Sequence, residues 1–294
     1  MKSVKKKNGL PVFMLIFSLF GFGLFYLFPF LYSLVYALTD NPLHFNFVGI
    51  DNFIALFQNK YFMNGLMNTV TFLVIAVPLN LCLSLMAALV INGKRTSHGR
   101  KYTRYFTLVF LIPLVIPSAT TAFFWSKFFD LNGSLNKILH FLGVEKIDWI
   151  QSKYAMGVMI FIFLWKNIGY NMALFIGGLN NIPESYYECA NIEGATALQK
   201  FQKITLVYLT PSFFLTLIMT FVNSFKIFKE IYLLSGEYPA ENVYVLQHFM
   251  NNMFLALNYP KLTSAVYILT IVVVFFIAGV FKIERKITDN ISVY

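Results

Sequence analysis

Charge is scarce in this sequence. Charged residues make up 12% of its 294 positions, about half the share usual in a soluble domain. The two cysteines, Cys82 in an apolar run and Cys189 in a polar stretch, give no disulfide framework. The four histidines, His44, His98, His140 and His248, all fall outside the apolar runs, which leaves those runs no metal cluster and no imidazole base. Long polar segments are missing as well. The stretches between apolar runs stay under about 30 residues, too short for a sizeable soluble domain. What fills the chain is apolar: 58% hydrophobic residues with 34 Phe among them. A water-soluble globule, a disordered chain and a disulfide scaffold are all excluded.

A bilayer core of roughly 30 Å takes about 20 consecutive, mostly apolar helical residues. Six runs meet that requirement, at 10–38, 66–91, 105–126, 155–179, 208–234 and 262–281. The fold class is therefore an all-α membrane protein with six transmembrane helices and a single membrane domain over 10–281. Short tails flank it at 1–9 and 282–294. The first run is long enough to tilt, or to bend at Pro29. It is too long for a signal peptide, and no small-residue cleavage site follows it.

The net charge of +10 then reads as orientation, because cytoplasmic loops collect Lys and Arg. With the N-terminus inside, the inner side holds fourteen basic residues: Lys2, Lys5, Lys6, Lys7, Lys94, Arg95, Arg100, Lys101, Arg104, Lys200, Lys203, Lys282, Arg285 and Lys286. The outer side holds six: Lys60, Lys127, Lys137, Lys146, Lys153 and Lys261. Both termini are thus expected in the cytoplasm. Topology and anionic lipid account for the basic balance, which removes the case for a nucleic-acid partner.

The spans are not plain anchors. The third carries Pro113, then Pro117-Ser118-Ala119-Thr120-Thr121. The fourth carries Trp165-Lys166-Asn167-Ile168-Gly169-Tyr170-Asn171. The fifth carries Thr216, Thr220, Asn223, Ser224, Lys226, Lys229 and Glu230. Polar side chains inside a membrane face a bundle interior or a pathway, or glue helices together. Lys166 lies near the centre of its run, where a cation costs about 3 kcal/mol on insertion scales. It marks either a hydrated cavity or an internal salt bridge, for which Glu230 is the one in-span acid. Asn223 and Lys226 share a helix face. Lys229 and Glu230 lie nearer the outer interface, where snorkelling is the expectation.

The segment 183–207 between the fourth and fifth spans reads as helix, turn, helix. Pro183 suits a first helical position with Asn181 as cap and Glu184 in the first turn. Gly194 suits a left-handed helix end. Ala197, Phe201 and Ile204 are spaced for one face of a second helix. Glu184, Glu188 and Glu193 argue against burial in anionic headgroups, so the knob fits a cleft in a soluble partner.

Glu188-Cys189-Ala190, then Gly194, then Ile204 and Leu206, resembles the coupling motif of binding-protein-dependent, type I ABC importer permeases. That motif runs Glu-Ala-Ala, three residues, Gly, nine residues, Ile-x-Leu-Pro. Both spacings match; Cys189 replaces the middle Ala and Val207 the Pro. Phe47-Val48-Gly49-Ile50-Asp51-Asn52-Phe53, Asn68-Thr69, Gly133-Ser134-Leu135-Asn136 and Trp149 are similar to outer segments of the carbohydrate-uptake branch. Within it the chain is most similar to the larger maltose-importer permease.

The resemblance implies the type I ABC importer permease fold in a bacterial cell membrane. It implies a heterodimer with a second permease, a cytoplasmic ABC ATPase dimer and an extracytoplasmic solute-binding protein. Glu188, Cys189, Ala190, Gly194, Ile204 and Leu206 would couple to the ATPase. Ser118, Lys166, Asn167, Tyr170, Thr220, Asn223 and Ser224 would line the path of a sugar or oligosaccharide. Leu114 stands where the relative has an aromatic sugar contact, which argues against maltose itself. The sequence has no Walker phosphate loop, so the chain is expected to be no enzyme and to bind no cofactor or metal. ATP and Mg are used by the partner ATPase. An acidic sugar, which Lys166 and Lys226 could favour, or another small polar solute such as a glycerol phosphate is the alternative cargo. A secondary transporter would need repeats and an ion-coupling acid, and a channel would not need segment 183–207.

Overall fold

The structure, a computed structural model, describes residues 9–41, 44–92 and 97–291. Lys2, Lys5, Lys6, Lys7, Lys94 and Arg95, used above for orientation, lie outside the described residues, as do positions 1–8 of the N-terminal tail and 292–294 of the C-terminal one. Among the described residues the secondary structure is helical, with one isolated β-bridge between Thr39 and Phe47. The chain forms two compact units, one from Met1–Met63 and Met250–Ile271, the other from Asn64–Phe249 and Val272–Tyr294.

In the first unit the first span, Phe13–Ala37, is built from α1 (Gly9–Phe22), a π turn (Gly23–Leu27) and α2 (Phe28–Ala37). The π turn is the local answer to Pro29, whose ring cannot tolerate a normal carbonyl four residues back. The outer motif 47–53 has a physical task. Gly49 sits at φ +60°, and Asn52, in α3 (Asp51–Phe57), donates to the carbonyls of Ala37 (3.0 Å) and Thr39 (2.9 Å). Those bonds satisfy carbonyls that the end of α2 leaves open. Tyr267 donates to the Phe30 carbonyl (2.5 Å) and Ser264 to that of Ala37 (3.4 Å), so α14 (Tyr259–Ile291) packs along α2.

The second unit is organised around α8 (Ala155–Asn180), where half of the most apolar window is buried. Glycines let other backbones approach it. A Cβ on Gly169 would fall on the Phe110 carbonyl of α5 (Ser97–Val115), and one on Gly178 would meet Ser212 of α11 (Leu206–Ser224). Small residues serve close helix packing where the hydrophobic effect is absent. Toward one end, Trp125 and Phe129 of α6 (Ser118–Phe129) meet Ile162 and Phe163 of α8 and Ile231 of α12 (Phe228–Ser235).

Three features go beyond the sequence expectations. The run 105–126 is one apolar segment in sequence, but α5 ends at Val115 and the helical path turns by 92° into the pair that begins at Ser118. Pro117 lies between them in extended conformation, φ −57° and ψ 145°. The fifth span begins earlier, because α10 (Ala197–Lys200), a π turn (Phe201–Thr205), α11, a 3-10 turn (Phe225–Ile227) and α12 form one continuous helical stretch, Ala197–Ser235. Residues 282–291, expected as tail, continue α14.

The outer motifs close locally. Asn136, on α7 (Ser134–Phe141), is 1% exposed. It donates to the carbonyls of Asp130, Leu131 and Ile147, and accepts from the Ile147 N–H and Trp149 Nε1. On α4 (Lys60–Asn92), Asn68 donates to the carbonyls of Glu241 (2.7 Å) and Tyr244 (3.0 Å), and Thr69 Oγ1 accepts from the Leu246 N–H (2.9 Å). Together they hold the strap before α13 (Leu246–Leu255) on α4. That strap also buries His248, whose Nδ1 accepts from the Val245 N–H (3.3 Å). Burial lowers its pKa to about 4.

Candidate functional site

Chemistry-bearing residues gather in two places of the second unit: the turn between α8 and α11, and the polar interior where α4, α6, α8, α11 and α12 meet.

At the turn, α8 ends at Asn180 and Asn181 serves as its C-cap. Ile182 anchors the chain at 2% exposure. Pro183 is extended (φ −61°, ψ 135°) and α9 (Glu184–Ile192) begins after it. Pro183 therefore takes the N-cap position and precedes the helix instead of opening it, and no side chain caps α9, Asn181 lying two residues earlier at the end of α8. None of α9 is buried. It closes with the N–H groups of Glu193, Gly194 and Ala195 donating to the carbonyls of Cys189, Asn191 and Ala190. Gly194 is at φ +75° with no atom within 4 Å of a built Cβ. The glycine is required by backbone conformation and not by space.

The second limb starts with a signal absent from the sequence reading. Thr196 and Gln199 form a capping box, Gln199 N–H to Thr196 Oγ1 (3.3 Å) and Thr196 N–H to Gln199 Oε1 (2.8 Å). The Thr-x-x-Gln spacing shows it. Lys200 Nζ donates to Asn191 Oδ1 (2.7 Å) across the turn. Tyr187 and Thr205 hydroxyls bond at 2.9 Å, so α9 is tied to the foot of the fifth span. Of the expected face, Phe201 and Ile204 are half-buried, while Ala197 is exposed.

Glu188 and Cys189 are exposed, Ala190 is half-buried, and Ile192 (87%) and Leu198 (63%) leave apolar groups uncovered. Behind α9 lies a cavity of about 420 Å³ lined by Leu89, Asn92, Leu179, Glu184, Tyr187, Glu188 and Thr205. Ile204 packs on the cluster around Leu179 and Leu209, and Leu206 lines a separate apolar cavity with Leu85 and Phe213. The arrangement is a rigid acidic knob with an apolar tip, fixed to three membrane helices.

In the interior, Lys166 Nζ lies 2.5 Å from Glu230 Oε1, with side chains 15% and 4% exposed. Ser118 Oγ donates to the same oxygen (2.8 Å) and accepts from Lys166 (3.2 Å). Of the two readings of Lys166, the salt bridge is the one formed. Glu230 does not snorkel; the 3-10 turn at Phe225–Ile227 rotates α12 so that this carboxylate points inward while Lys229 stays exposed. Ser118, first residue of α6, is thereby fixed to α8 and α12 at the break after Pro117.

A second polar group, in which Thr220 is the one expected path residue, joins three helices. Asn171 on α8 donates to Asn80 on α4 and to Thr220 on α11 (2.7 Å). Ser84 donates to the Ile168 carbonyl (3.2 Å). Asn80 interrupts an apolar run, the one sequence cue to its role. Thr220, Ser224 and Asn167 are buried and bond carbonyls of their own helices, those of Thr216, Phe221 and Phe163. Tyr170 and Asn223 are half-buried, and exposed Lys226 donates to Asn223 Oδ1 (2.7 Å). Of the expected path residues, Asn167, Thr220 and Ser224 are buried, while Ser118, Lys166, Tyr170 and Asn223 are half-buried, the first two of these four bonded to Glu230.

Comparisons with known proteins identify the family. Residues 80–287, from Asn80 through the turn and into α14, match the family described as "Binding-protein-dependent transport system inner membrane component". The chain is 32% identical over 240 residues to "Probable ABC transporter permease protein YesP" of Bacillus subtilis (strain 168), covering 80% of this chain and 76% of that one. It is 28% identical over 274 residues to "Lactose transport system permease protein LacF" of Rhizobium radiobacter, covering 90% and 91%. Its fold superposes, with a TM-score of 0.84 at 21% identity, on a chain of a bacterial ABC transporter involved in the import of the acidic polysaccharide alginate, covering 96% and 97%. A multi-pass helical chain with a projecting turn at the expected spacing, matched over this length, belongs to the binding-protein-dependent ABC importer permease family of inner-membrane transport components.

Proposed function

We propose that the chain is the permease subunit that carries a sugar or oligosaccharide inward from a solute-binding protein. It works as a heterodimer with a second permease on a cytoplasmic ATPase dimer that uses ATP and Mg. The observation that carries this reading is the α9–Gly194–α10 knob: acidic, unburied and tied by side-chain bonds to the ends of α8 and the fifth span. Glu188 meets a basic group of the ATPase, Cys189 and Ala190 supply small packing surface, and Gly194 sets the angle. Ile204 and Leu206 pass the motion into the fifth span. The excess of basic residues in alternate loops supports a cytoplasmic location for both termini and this knob.

Carbohydrate is supported by the lactose permease relative and by hydroxyl, amide and aromatic groups at Tyr170 and Asn223, which suit sugar hydroxyls and C–H faces. Lys166, one of two lysines that would favour an acidic cargo, is already neutralised by Glu230, which supports a neutral sugar. Ser118, Lys166, Asn167, Thr220 and Ser224 shape the wall of the path by holding its helices in register. The test is a thermal-shift screen of the solute-binding protein that docks with this permease against neutral mono- and oligosaccharides, uronic acids and glycerol phosphate. A melting shift with neutral sugars is expected. A shift with glycerol phosphate alone would overturn the carbohydrate reading while leaving the importer assignment intact.

A further inference from the structure

The far end of α14 carries a feature that transport does not explain. Its apolar run, 262–281, gives about 30 Å of helix at 1.5 Å per residue, the thickness of a hydrocarbon core. Lys282 is the first residue beyond it, at the depth of lipid phosphates. There a cavity of about 380 Å³ opens, lined by Ala278, Phe281, Lys282 and Arg285. Those positions are spaced three and four apart and share one face. Two turns up the same face, Phe275 is 74% exposed, and Phe281 in the cavity wall is 48% exposed. Apolar surface therefore runs down the helix into a pair of cations.

We propose that this cavity binds one anionic phospholipid. Its phosphate sits between Lys282 and Arg285, and an acyl chain lies along Phe275, Ala278 and Phe281. The guanidinium of Arg285 offers a planar fork for two phosphate oxygens, and the Lys282 stem reaches outward from the apolar wall with its ammonium at the interface. Charge selects the occupant. An anionic headgroup complements two cations, whereas a zwitterionic one brings its own positive charge against them. The apolar wall belongs to the span and meets acyl chains in any bilayer; the cavity beside Lys282 and Arg285 is what singles out one headgroup position. The inference rests on the membrane-spanning reading and stands whichever solute is carried.

The test uses the assembled importer in nanodiscs of phosphatidylglycerol and phosphatidylcholine in equal parts, released for native mass spectrometry. Wild-type complex is expected to retain phosphatidylglycerol over phosphatidylcholine. The double variant Lys282→Gln, Arg285→Gln is expected to lose that retention roughly thirtyfold, the equivalent of two basic residues at an anionic surface. Lys261→Gln, at the other end of α14, is expected to keep it. Equal retention of the two lipids by wild type, or unchanged phosphatidylglycerol in the double variant, overturns the proposal. If the double variant fails to assemble, the wild-type complex decides: 1 M salt should strip the bound lipid that 0.1 M salt spares, and a salt-independent count overturns the site.

Discussion

At the scale of single residues, the Lys166–Glu230–Ser118 cluster puts an ion pair in the membrane interior. Two ions out of water are tolerated only as a satisfied pair. Lys166→Met should leave Glu230 buried without its counter-ion and lower stability by about 3–5 kcal/mol, read as a lowered melting temperature in detergent. The exchange Lys166→Glu with Glu230→Lys should recover much of the loss. A Lys166→Met protein that melts like wild type would show that the pair contributes nothing. His248 gives a pH signature. Burial holds it neutral with a pKa of about 4, against about 6.5 unfolded, so the unfolded chain binds the extra proton. Stability from this group is complete above pH 6.5 and falls as pH drops toward 4, by at most about 1.4 kcal/mol per pH unit. His248→Phe should flatten that slope in pH-dependent melting; an unchanged slope would assign it to other groups.

At the scale of elements, two glycines do different work, and substitutions separate them. Gly194→Ala meets no neighbour, so its cost is the left-handed backbone alone, about 1–2 kcal/mol. It should leave expression and assembly intact while weakening the coupling turn, visible as faster amide exchange over 190–200. Gly169→Ala places a methyl on the α5 backbone and should prevent the α5–α8 contact from closing, read as loss of the monodisperse peak in size-exclusion chromatography. Normal chromatographic behaviour would show that α5 can move away. Both sites bear on how much the sequence revealed. The α9–Gly194–α10 turn was legible because spacing and a positive φ at glycine are local properties, although its caps lie at Thr196 and Gln199 and not at Asn181. The break at Pro117 was only half legible. Two prolines mark a weak ladder, but the 92° turn depends on where Ser118 docks, and that partner is 112 positions away at Glu230. Glu230 itself was misplaced because depth along a helix can be read from sequence, whereas rotation about its axis cannot once a 3-10 turn intervenes. Asn80 was hidden for a similar reason, since it looks like an isolated polar residue until three helices meet, and Asn171 was visible within the polar stretch 165–171 but not its partners.

At the scale of the whole molecule, a polar interior and an acidic knob are joined by continuous helix. The fifth span runs without a break in helical structure from Ala197 to Ser235, so a displacement of α9 and α10 at one end reaches Thr220, Asn223 and Glu230 along one element. A π turn at Phe201–Thr205 and a 3-10 turn at Phe225–Ile227 are the points where that helix can change pitch. On the proposed reading, motion imposed on the knob by closure of a partner ATPase would become rearrangement around the path residues. The most direct measurement is ATP hydrolysis by the purified importer in liposomes, with and without its solute-binding protein, for wild type and Glu188→Lys. Wild type is expected to be stimulated severalfold by the loaded binding protein. The Glu188→Lys complex, assembled with the same subunits, is expected to show no stimulation. Equal stimulation of the two complexes would contradict the coupling role of this turn.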